Sequence, residues 1–427
     1  MTAAKQIVID AKQLDLSQFL KAGDSIVMGQ ACGEPTTLVE ALIEQGRNIG
    51  NLSAFIATSF SGLFNADSVD SIAMSSMGAI GALRALTKIH QLQVIPCHVS
   101  QVAPMITADI LPCDVAFIQV SPADENGNHS CGLISDYVQA AVEKARVVIA
   151  EVNDQVPFSN GETIHSSQID CAVLVSRTPV EVAAAKISEL DEAIAKHAAS
   201  YIVDGSVIQT GVGAVPDAIL RLLHDRKDLG VHSGMLGDGL VELVEAGIIT
   251  NASKKIDTGV SINGALIGSK RLYEWAHKNP QMRMCNTAYT HDAAVLAQLE
   301  KLVTINSALE VDLSGQVNAE QSGANYMGGT GGQVDFVRAG ARSKGGHSII
   351  ALPATAKGGT LSRITAALSG PVTTARTDVD VIVTEFGAAE LKGRSIPERT
   401  RRLIAIAHPD FQEELEREAH TLQQRGF

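Results

Sequence analysis

Apolar residues along this chain fall in short runs, punctuated by glycine, proline and charge, and the runs alternate between strand-like and helix-like spacing. The run from Ser206 to Thr210 reads as a buried strand. Gly211 and Gly213 then permit a tight turn, and Pro216 suits the first turn of a helix predicted over 216–223, with Ile219, Leu220, Leu222 and Leu223 as its apolar face. Further strands are predicted over 93–96, 115–120, 147–152, 172–175, 301–305, 348–352 and 379–384. Helices are predicted over 82–89, 137–144, 240–246 and 270–277. The segment 124–128 is a turn by its Asn-Gly content. An Ala-rich helix is expected from Thr178, as N-cap, and Pro179 to about Tyr201. Such a helix suits a connection between domains, which places a boundary near 185 and gives domains 1–185 and 186–427. The tail from Pro409 to Gly426 reads as a charged, solvated helix.

The two halves share a pattern. When residues 24–43 are slid by 181 positions, Ser25 falls on Ser206, Ile26 on Val207, Val27 on Ile208 and Pro35 on Pro216. Leu38 and Leu42 then fall on Ile219 and Leu223. Each segment is a strand, a small-residue turn and a proline-started helix, so two structurally similar halves are expected. Chance similarity between two βα units is the alternative.

A length of 427 residues agrees with two α/β domains. The formal charge of −13 argues against a nucleic-acid or anionic-membrane partner. An anionic ligand would need local cations or backbone dipoles against that field. Cys32, Cys97, Cys113, Cys131, Cys171 and Cys285 contain no CxxC pair, which points to free thiols in a reducing cytoplasm and away from a metal site. Neither a signal core at the start nor an apolar run of membrane-spanning length is visible.

Two stretches could carry chemistry. A strand, a glycine turn and a helix N-terminus at 206–216 aim backbone N–H groups at one point, which suits an anion or a developing oxyanion; the alternative is an ordinary connection. Glycine is dense between Gly328 and Gly359, where closely approached backbone or ligand-lining loops fit the flanking apolar strands better than disorder does.

The chain resembles the family I coenzyme A transferases, in the acetyl-CoA hydrolase/transferase branch that includes the 4-hydroxybutyrate and butyryl-CoA transferases. The resemblance is carried by Gly29 to Pro35, Leu111 to Pro122, Ala150 to Gln155, Gly211 to Pro216, Val244 to Gly247, Gly328 to Arg338, Val383 to Gly387 and Ile406 to Asp410. It implies two related α/β domains with the active site between them, and coenzyme A moved from an acyl thioester to a free carboxylate, with CoA and acyl-CoA as substrates and no permanently bound cofactor or metal. Gly211, Val212 and Gly213 would stabilise the oxyanion. The resemblance also puts Ala214, Val215, Gly328, Gly329, Gly331 and Gly332 along the CoA. Lys357 would meet phosphate charge or simply be solvated. A homodimer or higher homo-oligomer is a family-based expectation.

In such transferases a glutamate in the sequence His-[Thr/Ser]-Glu-Met attacks the thioester. This chain reads His232, Ser233, Gly234, Met235, and glycine has no side chain with which to form an anhydride. Three readings follow: a transferase or hydrolase in which CoA, the acceptor carboxylate or water attacks directly, an enzyme in which another carboxylate has taken over, and a catalytically silent CoA binder or nucleophile-deleted variant. Glu34 and Asp238 are the acids considered as substitutes, but the resemblance implies an acid at these positions in active relatives too, so helix-cap or salt-bridge roles are the favoured reading. Glu320, before the glycine-rich loop, is read the same way, His232 reads as a packed histidine, and Glu385 reads as a helix-start residue.

Overall fold

The computed structural model describes residues 7–424 and divides the chain into two compact units, 1–183 with 262–292, and 184–261 with 293–427. The first break falls beside the expected boundary. Residues 262–292, assigned by sequence to the second domain, belong instead to the first unit. Backbone pairing accounts for this: Ile134 bridges Ala265, Ser159 bridges His277 and Gly161 bridges Met284.

The first unit is built on an eight-stranded sheet. In chain order its strands are β1 (Ile7–Asp10), β2 (Ser25–Met28), β3 (Leu52–Phe55), β4 (Ile72–Ser76), β5 (Leu92–Val94), β6 (Val115–Val120), β7 (Val147–Asn153) and β8 (Cys171–Val175). Their order across the sheet is β1-β8-β7-β6-β2-β3-β4-β5, and every pair is parallel. Parallel strands are covered on both faces, so β6 and nearly all of β7 are buried without alternation. Helix α1 (Thr36–Ile49) follows β2 and buries Leu38, Val39 and Leu42.

The second unit contains α2 (Glu189–Ala199), α3 (Ala214–Arg221), α4 (Asp238–Glu245) and α5 (Gln333–Arg342). Its six-stranded sheet comprises β9 (Val207–Thr210), β10 (Gly230–Val231), β11 (Leu302–Ser307), β12 (His347–Ala351), β13 (Val381–Thr384) and β14 (Gly387–Glu390), in the order β10-β9-β11-β12-β13-β14. The similarity read at a spacing of 181 is therefore architectural: β3-β2-β6-β7-β8 in one sheet matches β10-β9-β11-β12-β13 in the other. The strand next in line differs, β1 being parallel to its neighbour and β14 antiparallel.

Two expected helices are corrected. The helix expected from Thr178 begins at Glu189, because Ser188 accepts from the Asp191 amide and Asp191 returns the bond in a capping box, while 176–188 has no helical turn. The terminal helix, Pro409–Gln424, is not simply solvated, since Leu415 and Ala419 enter a core cluster with Leu403, Ile382 and Val311. All six cysteines are free and buried. Among the described residues no helix is long and apolar enough to cross a membrane, and no His/Cys/Asp/Glu group could hold a metal ion.

Candidate active site at the carboxyl edge of the second sheet

Strand β9 is buried along its length and lies between β10 and β11. Its last residue, Thr210, leads into Gly211-Val212-Gly213. Gly213 has φ 135°, a conformation closed to side-chain-bearing residues, and it caps α3. The helix starts at Ala214, so Pro216 is its third residue rather than its first. The first intrahelical bond runs from the Asp217 amide to the Gly213 carbonyl, 3.0 Å. The amides of Ala214 and Val215 precede it and have no carbonyl of their own helix within reach. They carry the positive end of the helix dipole. A Cβ built at Gly211 or Gly213 would meet no heavy atom within 4 Å, and Val212 is 38% exposed. The turn is open to a ligand.

The second loop leaves the neighbouring strand at the same edge. The His232 amide continues the β9–β10 ladder to the Ile208 carbonyl (3.1 Å), and the imidazole is buried, as expected for a packed histidine. Ser233 is buried and its Oγ donates to the Thr210 carbonyl at 3.1 Å, which ties this loop to the start of the glycine turn. The next residue is Gly234. Gly211 and Gly234 thus each follow, by one residue, the linked pair Thr210, which ends β9, and Ser233, in the loop just past the parallel neighbour β10. In sheets of this type ligands sit outside the carboxyl ends of the strands.

Asp238 is the first residue of α4. Together with Glu242 it disfavours ionisation of Asp217, whose pKa is raised mainly by burial and is opposed by Arg221.

Gly328, Gly329, Gly331 and Gly332 lie on the segment leading into α5, and Gly332 caps that helix. The close approach is real at Gly328, where a Cβ would stand 2.4 Å from the Ala319 carbonyl oxygen. The amides of Met327 and Gly328 donate to the Glu320 carbonyl at 2.7 and 3.0 Å. The Glu320 carboxylate is held by Tyr326 (2.6 Å) and Thr373 (2.8 Å), a supporting role for this loop. Helix α5 packs on β11 and β12 and connects these parallel strands, so its N-terminus points to the same carboxyl edge. Lys357 is exposed at the tip of the hairpin formed by Thr355–Ala356 and Leu361–Ser362, just after β12.

Glu34 belongs to the first unit. Among the described residues it is neither a helix cap nor an ion-pair member: its carboxylate is fully buried and accepts from Ser59 (2.9 Å) and Ser61 (2.6 Å). Burial raises its pKa against these hydrogen bonds. Glu385 is not at a helix start. It occupies the turn between β13 and β14, where its carboxylate accepts from the Ala354 amide at 2.8 Å.

Sequence reasoning missed Gln209, a polar residue inside the apolar β9, whose Oε1 accepts from Asn306 on β11 at 3.2 Å. The signal was present, since an amide in a fully buried strand needs a partner. Arg363, at a bend between Leu361–Ser362 and Ile364–Thr365, carried no sequence signal at all.

Two family models match the chain. The acetyl-CoA hydrolase/transferase N-terminal domain covers residues 9–184 and the C-terminal domain of the same family covers 268–419. The 4-hydroxybutyrate coenzyme A transferase of Clostridium kluyveri is 39% identical over 395 residues, 91% of this chain and 92% of that protein. Among solved structures, RipA from Yersinia pestis superposes with a TM-score of 0.89 at 33% identity, covering 98% of this chain and 97% of that one. The 4-hydroxybutyrate CoA-transferase of Porphyromonas gingivalis superposes with a TM-score of 0.82 at 35% identity, covering 99% and 98%.

Proposed function

Since the chain belongs to the family I CoA-transferases, in the acetyl-CoA hydrolase/transferase branch, we propose that it moves coenzyme A between small carboxylic acids by direct attack of the acceptor carboxylate on a bound acyl-CoA. The observation that carries this reading is the open Gly211–Gly213 turn at the start of α3, beside a position, Gly234, that has no side chain. The amides of Gly213, Ala214 and Val215 are the donors for the thioester oxygen as it gains charge, and one such donor is worth about 3–4 kcal/mol in transition-state stabilisation. CoA itself would run along Gly328 to Gly332, with Lys357 available to phosphate.

The acceptor carboxylate oxygen forms a bond to the thioester carbonyl carbon, and the C–S bond breaks to release CoA thiolate. The thiolate then attacks the acceptor-derived carbonyl of the resulting acyl anhydride. The C–O bond breaks, giving the new thioester and the donor carboxylate. No net proton moves. The role that a fixed glutamate plays in the family's two-stage exchange is taken here by the second substrate, so both substrates occupy the site together.

The test is a kinetic one. With butyryl-CoA and acetate, initial-rate plots should intersect, acetyl-CoA should appear, and mass spectrometry should find no CoA attached to a side chain. Parallel plots together with a CoA adduct on a carboxylate would overturn direct attack. Thiol release in the absence of acetate would identify a hydrolase, and CoA binding without turnover a silent binder.

A further inference from the structure

The acceptor acid is an anion and the chain carries a formal charge of −13, so a carboxylate arriving at this edge needs a local cation. Arg363 supplies one. Its backbone is pinned, the amide donating to the Ala354 carbonyl at 2.9 Å and the carbonyl accepting from the Val311 amide at 2.8 Å. Its Nη1 donates to the Ala308 carbonyl at 3.3 Å. Ala308 follows the last residue of β11, the strand paired with β9, so the guanidinium lies just past the carboxyl end of the strand beside the glycine turn.

The guanidinium is under-used. Burial lowers its pKa, and Glu385 attracts it only from beyond ion-pair distance. The Glu385 carboxylate is directed to the Ala354 amide instead. Among the described residues Arg363 has no ion-pair partner, and its Nε is buried without a hydrogen-bond acceptor. Thr365 Oγ1, two residues along, is likewise buried and unpaired. A guanidinium offers five donors in a planar fork that matches a carboxylate. The residue is half-buried, so water can reach part of the fork, but its Nε is buried with no acceptor, and that donor is left unpaired unless a further acceptor arrives.

We propose that Arg363 is the carboxylate anchor of this edge and receives a carboxylate group of the substrate acid. That group is either the reacting carboxylate of the acceptor or the distal one of a dicarboxylic acid. The assignment rests on the proposed transfer reaction for the identity of its ligand, but it is tested by binding rather than turnover. The full chain is saturated with free CoA, which cannot react with an acid, and titrated calorimetrically with acetate or with succinate. Arg363→Gln should weaken binding roughly 10- to 100-fold, the usual range for a charged hydrogen bond. Arg363→Lys, which keeps the charge without the fork, should recover part of the affinity. Equal losses for acetate and succinate assign Arg363 to the reacting carboxylate, and a loss confined to succinate assigns it to the distal one. Unchanged affinity for both acids in a variant with wild-type melting temperature and CoA affinity overturns the proposal, as does absence of acid binding by the wild-type protein. If Arg363→Gln does not fold, wild-type affinity for both acids in Arg363→Lys overturns it. Arg363-dependent acid binding in a protein without transferase activity would remove the reaction proposed above and leave the anchor standing.

Discussion

After β2 the chain turns through Gly29, Ala31 and Gly33 into α1; after β9 it turns through Gly211 and Gly213 into α3. The two strands hold the same place in their sheets, but the turns are finished differently. In the first, the Gly29 amide donates to Phe117, Ala31 to Thr58 and Gly33 to Gln30. A Cβ at Gly33 would stand 2.3 Å from Ile134 Cγ2. The Gln30 amide is bonded to the buried Asp136 carboxylate, and Glu34 to Ser59 and Ser61. In the second, nothing stands within 4 Å of a Cβ at either glycine, and the helix begins two residues before its proline instead of one after it. One supersecondary unit can therefore be finished as a packed turn or as an open one. Whether neighbouring side chains fill the turn and satisfy its amides decides which.

The contrast predicts the largest response at Gly234. Gly234→Glu restores a carboxylate beside the open turn and should raise acceptor-dependent exchange at least about tenfold, a cautious figure beside the effective molarities of ~10⁵–10⁸ M reached by well-placed intramolecular groups. It should also convert intersecting initial-rate plots to parallel ones. Unchanged kinetics in a folded variant would mean that this loop is not aimed at the thioester.

The second prediction concerns the sealed turn. Burial raises the Asp136 pKa from 3.8 to about 7, with Glu162 adding to the effect and Gln30 opposing it. The folded state holds the proton more tightly than the unfolded chain. The associated stability is complete below the unfolded value near pH 4 and is lost as pH rises through about 7. Asp136→Asn cannot ionise, so urea melts should show the variant gaining on the wild type between pH 5 and pH 8, by on the order of a few kcal/mol at about 1.4 kcal/mol per pKa unit. A constant difference across that range would remove Asp136 as the source.

A methyl group added to each turn separates packing from function. Gly33→Ala forces Ile134 to move and should cost about 1–3 kcal/mol in denaturant melts. Gly211→Ala should leave stability within about 0.5 kcal/mol, yet lower kcat/KM for acyl-CoA by roughly tenfold, equivalent to about 1.4 kcal/mol of transition-state contact. A normal kcat/KM in Gly211→Ala would show that the thioester lies elsewhere.

Most of this architecture was legible because it rests on local, periodic signals. Largely apolar runs such as 115–120 and 147–152, each broken by one polar residue, marked parallel strands, and the matched prolines at 35 and 216 exposed the duplicated βα unit. The errors have physical causes. Alanine-rich composition after Pro179 outweighed the Ser188 to Asp191 capping signal that sets the true start of α2. The tail's charges concealed the Leu415 and Ala419 stripe that docks it. In the site, glycines announced themselves because a tight turn leaves a mark on composition. Arg363 did not, because its importance lies in what fails to surround it in three dimensions, and no spacing rule encodes an unsatisfied neighbour.

The return of 262–292 to the first unit has a consequence for biogenesis. Residues 184–261 must be synthesised before the first unit receives its last segment, a detour of roughly 4–16 s at ~5–20 residues per second. During that interval Ile134, Ser159 and Gly161 lack their bridge partners Ala265, His277 and Met284, so the nascent amino-terminal half leaves the ribosome as an incomplete body. A fragment ending near 184 should accumulate in inclusion bodies, and co-expression of the missing stretch on a separate chain should rescue it only if that stretch can add in trans.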